Sequence, residues 1–104
     1  MSWKETISLT DLPEGGGSRI TLGSDSIALF LVGNQVLAIG DRCSHAEASL
    51  SEGTVVGSEV ECPLHGARFD LETGRPLSLP ATRPVATYPA KVEGGYVYVE
   101  VEEQ

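Results

Sequence analysis

The chain has 104 residues, enough for one compact domain with a modest core and too few for two independent ones. Hydrophobic residues make up 40% and charged residues 21%, a globular balance that excludes a disordered or low-complexity composition. Fifteen acidic against seven basic residues give a net charge of −8, which argues against nucleic acid and anionic membrane and favours a partly basic protein partner. The longest apolar run, Ile27 to Val32, is too short to cross a bilayer, and Met1-Ser2-Trp3-Lys4-Glu5 lacks the basic-then-apolar order of a targeting segment. The expected location is the cytoplasm.

Short runs of strand-forming residues, punctuated by Gly, Pro, Asn and Asp, extend from end to end, and no stretch carries a sustained helical period with caps. The fold class is therefore read as all-β and antiparallel. In chain order the expected strands are Trp3–Ser8, Arg19–Leu22, Ser26–Val32, Gln35–Ile39, Val85–Val92 and Tyr96–Glu102. In the last, Tyr96, Tyr98, Glu100 and Glu102 alternate with Val97, Val99 and Val101, as a half-buried strand requires. Gly33-Asn34 and Gly94-Gly95 supply residues that tolerate positive φ, so each predicts a tight hairpin. Gly15-Gly16-Gly17 is a plain flexible turn, lacking the helix and Lys-Ser/Thr of a phosphate-binding loop. Trp3, Tyr88, Tyr96 and Tyr98 are assigned to core or strand packing.

The segment from Gly40 to Pro84 differs in kind, being loop-rich and poor in long apolar runs. It holds all four Cys and His residues of the chain, as Cys43-Ser44-His45, then sixteen residues, then Cys62-Pro63-Leu64-His65-Gly66. Two structural cysteines and two surface histidines would not be expected to fall into two matched pairs, so ligation is the reading. Zinc is the rival metal, because Cys2His2 sets bind it tetrahedrally, although zinc modules usually pair Cys with Cys and His with His. A mixed pair from each of two loops suits a binuclear cluster in which one iron takes both thiolates and the other both imidazoles. A Cys43–Cys62 disulfide is the third possibility.

The pattern Cys-x-His followed by Cys-Pro-x-His-Gly resembles the signature of Rieske [2Fe–2S] proteins. The likeness runs through Arg42 to Gly53 and Cys62 to Asp70, and the flanking strands suit that family's β scaffold. The resemblance implies one Rieske domain over residues 1–104, a small antiparallel sandwich or barrel built from about 1–40 and 85–104, with a cluster-binding subdomain inserted over about 41–84. It implies one [2Fe–2S] cluster per chain, with Cys43 and Cys62 on the buried iron and His45 and His65 on the outer iron. Gly53 and Gly66 would give the backbone close approach to the cluster, and Pro80, within Pro76 to Pro84, would cover it as a stiff lid.

High-potential members of that family carry an extra cysteine in each loop and a serine and a tyrosine hydroxyl directed at sulfur. The matching positions here are Ala48, Leu64, Ala67 and Phe69. Without those hydroxyls the potential is expected near the low end of the Rieske span, about −150 mV, which argues against quinol oxidation. No further histidine is present for a mononuclear iron site and no dinucleotide fingerprint appears, so the chain is read as a carrier and not an enzyme. It most resembles the ferredoxin component of aromatic-ring-hydroxylating dioxygenase systems, whose partners are a flavin-dependent reductase and a terminal non-haem iron oxygenase. The small subunit of a nitrite reductase, a carrier for a monooxygenase and a zinc-stabilised interaction module are the alternatives. The substrate, the reductase and the oligomeric state are not legible.

Overall fold

A computed structural model of the chain describes residues 2–43, 48–64, 66–79 and 83–102. Its strands are β1 (Ser2–Ser8), β2 (Gly17–Leu22), β3 (Asp25–Val32), β4 (Gln35–Gly40), β5 (Thr54–Val56), β6 (Glu59–Glu61), β7 (Arg68–Asp70), β8 (Thr87–Tyr88), β9 (Ala90–Glu93) and β10 (Tyr96–Val101). They form three antiparallel sheets of order β1-β10-β9, β2-β3-β4-β8 and β5-β6-β7.

The apolar run Ile27–Val32 does not alternate because its sheet is covered on both faces. Ala28 and Phe30, with Ile39 of β4, point into a core shared with Val60, Phe69 and Leu71 of the third sheet. Ile27 and Leu29, with Val36 and Ala38, point the other way and pack against Val97, Val99 and Val101 of β10. The second sheet is thus the middle layer of three. Phe30, Ile27, Leu29 and Ile39 are all fully buried, and each such side chain is worth about 1.5–3 kcal/mol over its exposed state.

The turns follow the expected chemistry. Val32 pairs with Gln35 across Gly33-Asn34, and Glu93 pairs with Tyr96 across Gly94-Gly95, where both glycines have positive φ. Gly23-Ser24 and Gly57-Ser58 close two further two-residue hairpins of the same kind.

Two expectations are corrected and a third, core or strand packing of the aromatic residues, is narrowed. The single strand Val85–Val92 is two, β8 on β4 and β9 on β10, because Pro89 has no N–H to continue a ladder and marks where the chain crosses between sheets. The loop-rich insertion contains a sheet, β5-β6-β7, whose three-residue strands are too short to show a period in sequence. Trp3 and Tyr96 are exposed rather than in the core: Trp3 takes the Lys91 ammonium 4.3 Å from its ring centroid. Tyr88 does pack against the outer core, and Tyr98 donates its hydroxyl to Glu5 at 3.0 Å.

Candidate metal centre

Cys43 lies three residues beyond β4 and Cys62 immediately beyond β6, at the tips of two hairpins of the same form. The first is closed by the antiparallel pair Arg42 and Ser49, the second by Glu61 and Arg68. In each, the cysteine N–H donates to the carbonyl five residues on, Cys43 to Ala48 at 3.0 Å and Cys62 to Ala67 at 2.7 Å. The two cysteines are therefore fastened alike, each to the residue five positions on. Gly66, at φ +71 with open space around it, serves the second turn by its left-handed conformation.

Both cysteines are free thiols and almost fully buried, in the same core as Leu50, Val60, Ala67 and Phe69. The Cys43 thiol lies within hydrogen-bonding reach of Cys62. Burial pushes the Cys62 thiol up from 9.0 to about 11, the Leu64 N–H opposes that rise, and the Cys43 thiol adds to it. Two adjacent sulfurs in a dry pocket are poor thiolates on their own. A cation between them would reverse that balance, and an N–H already aimed at one sulfur suits a ligand that must stay ionised. The donor set thus fits a thiolate-bound metal. His45, His65 and Pro80 lie outside the described residues.

Around the turns the chain is fastened at several points. Leu77 N–H donates to Arg68 O at 2.7 Å, Arg68 N–H to Ser78 Oγ at 2.9 Å, and Val85 N–H to Gly74 O at 2.9 Å. These bonds lay Pro76–Ser78 along β7 and join Gly74 to Val85 across the base of the segment that contains them. Leu64, Leu77 and Leu79 are exposed on this part of the molecule. Gly53 lies against the backbone at the base of the second cysteine turn. A Cβ there would collide with the Glu61 carbonyl and lie 3.0 Å from Val60 Cγ2, so its smallness lets the first hairpin pack on β6 one residue before Cys62.

Sequence reading missed Asp41, which is 3% exposed and the only buried charged side chain among the described residues. Its carboxylate accepts from Ser49 Oγ at 2.6 Å and from Ser51 N–H at 2.9 Å. The signal was available as an acidic residue entering a turn whose far arm carries two serines.

Comparison with known proteins fits this arrangement. A profile of the Rieske [2Fe-2S] domain matches residues 2–89, and the chain belongs to that family. It is 52% identical over 96 residues to the 3-phenylpropionate/cinnamic acid dioxygenase ferredoxin subunit of Escherichia coli, covering 91% of this chain and 90% of that one. Among solved structures it superposes on the ferredoxin of carbazole 1,9a-dioxygenase from Nocardioides aromaticivorans with TM-score 0.91 and 36% identity, over 98% of this chain and 100% of that one. It also matches a complex of reduced oxygenase and oxidized ferredoxin in carbazole 1,9a-dioxygenase, with TM-score 0.88, 39% identity, and 98% and 95% coverage.

Proposed function

We propose that this chain is the one-electron carrier of an aromatic-ring dioxygenase system, with one [2Fe–2S] cluster held by Cys43, His45, Cys62 and His65. The observation that carries the reading is the pair of buried thiols set side by side, each fastened alike, in a chain that aligns along nine-tenths of a dioxygenase ferredoxin subunit. Residues 41–84 act as the cluster-binding subdomain within a scaffold of 1–40 and 85–104. The bound cluster supplies a site that takes up and releases one electron.

The protein's own residues do the rest. Cys43 and Cys62, as thiolates, hold the buried iron, and the Leu64 N–H stabilises the charge on Cys62. His45 and His65 would hold the second iron through their imidazoles. The exposed leucines at 64, 77 and 79 supply an apolar rim for brief docking of a flavin-dependent reductase and then a terminal oxygenase. The likeness to the 3-phenylpropionate/cinnamic acid subunit points to an oxygenase for arylpropionate-type acids. It favours this role over a nitrite reductase subunit, and the protein works in the cytoplasm.

Protein purified without air is expected to be red-brown, to contain iron and acid-labile sulfide in equal amounts, and to give a Rieske-type EPR signal on reduction. His65→Ala should lose that signal. Mixed with the 3-phenylpropionate reductase and oxygenase, the wild type should support NADH-dependent oxygenation. Zinc without sulfide would overturn the reading, and a native spectrum in His65→Ala would remove that residue from the ligand set.

A further inference from the structure

We propose that Asp41 is a positioning residue whose buried carboxylate, acting through Ser49 and Ser51, fastens the turn carrying Cys43 and His45 and so fixes where that turn presents its ligands. The inference rests on the ligand assignment proposed above.

Two backbone bonds close the base of this turn. The Cys43 N–H reaches Ala48 O at 3.0 Å, and the Leu50 N–H reaches Asp41 O at 2.6 Å. Asp41 adds a side-chain tie across the base. One carboxylate oxygen accepts from the Ser49 hydroxyl and the other from the Ser51 N–H, while the two serine hydroxyls lie 2.7 Å apart. Since Ser49 donates to Asp41, Ser51 donates to Ser49, and the chain of donors ends on the carboxylate. The Asp41 N–H in turn donates to Ser26 O at 3.0 Å, so the tie is anchored to β3 in the middle sheet. A charged group this deep is expensive unless it is fully bonded, and this one is placed two residues before Cys43. The second turn springs from the paired strands β6 and β7, whereas among the described residues the first is flanked by the isolated bridge between Arg42 and Ser49. The side-chain tie supplies what the short ladder lacks.

The test uses the cluster-loaded protein. The rate of cluster loss under a chelator is followed by visible absorbance, and the width of the EPR signal of the reduced protein reports how uniformly the turn holds the iron. Asp41→Ala leaves the backbone bonds in place but orphans the Ser51 N–H and takes away the acceptor that ties Ser49 to the base of the turn, and cluster loss should accelerate about tenfold or more with a broadened signal. Asp41→Asn keeps the shape: its NH2 can donate to Ser49, whose hydroxyl then turns to Ser51, so lifetime and line width should return most of the way to wild type. Ser49→Ala, which keeps the charge and the Ser51 bond, should fall between, and it carries the test if Asp41→Ala does not fold. Unchanged cluster lifetimes in the alanine variants, or an asparagine variant no better than alanine, would overturn the inference. His45→Ala separates it from the reading beneath: if that variant keeps a native cluster, the ligand assignment has failed and not the tie alone.

Discussion

Gly53→Ala is the substitution for which the structure gives the sharpest expectation. A Cβ at this position would overlap the carbonyl oxygen of Glu61, with Val60 Cγ2 at 3.0 Å and Leu50 O at 3.1 Å. None of these is the free end of a flexible side chain. Two are backbone oxygens and the third belongs to a fully buried valine, so β6 or the turn at Leu50–Glu52 has to move. Overpacking of this kind costs on the order of 2–3 kcal/mol. In a domain of this size that lowers the melting temperature by about 10 °C or more. Because Glu61 precedes Cys62, the displacement should also speed cluster loss. Gly16→Ala is the control, since its Cβ would meet only Pro13 Cγ at 3.7 Å and its φ lies outside the left-handed region. Calorimetry of the loaded proteins decides the matter. A Gly53→Ala variant melting within 2 °C of wild type, by the same conversion within roughly 0.5 kcal/mol, would refute the close-approach argument.

Phe69 and Ala67 share the buried core with both cysteines, so Phe69→Tyr and Ala67→Ser each place a hydroxyl beside the thiolates. If each bond favours the reduced state by about 1 kcal/mol, direct electrochemistry should show a rise on the order of 40 mV per hydroxyl, and more in the double variant; no rise with the hydroxyls in contact with sulfur would remove this explanation for a low potential. In metal-free protein the Cys62 thiol is held at about 11 against an ordinary 9.0, so only the unfolded chain ionises in that interval. Its contribution is intact below pH 9 and lost as the pH climbs towards 11, a fall on the order of 2 kcal/mol in urea titrations that Cys62→Ser should abolish. Tyr98 is held above the ordinary phenol range by its hydrogen bond to Glu5, so Glu5→Gln should move its ionisation to lower pH in an ultraviolet alkaline titration referenced to Tyr98→Phe. An unchanged Tyr98 titration would place the cause elsewhere.

Local chemistry carried much of the fold into the sequence. The alternation from Tyr96 to Val101, the glycine-bearing two-residue turns and the spacing of the Cys and His pairs each express a requirement satisfied within a few residues, by strand pleat, positive φ or ligand reach. Those features are legible in one dimension because their cause is local. The even and odd residues of Ile27–Val32 read alike, since all are apolar, yet Ala28 and Phe30 belong to the cysteine-side core while Ile27 and Leu29 belong to the other. Only the arrival of a layer on each face divides them. The same holds for β5, β6 and β7, which exist because they pair with one another, and for Val85–Val92, where Pro89 ends one partnership and the neighbouring sheet offers another. Asp41 is the clearest case: its type and position suggest an ordinary surface turn, and it becomes a buried tie only once Ser49 and Ser51 return to it across the base of the turn. The sequence by itself determined the strand-forming segments, the tight turns and the spacing of the Cys and His pairs. Tertiary structure decided which face each strand buries and the placement of Cys43 beside Cys62, because those depend on contacts between segments far apart in the chain.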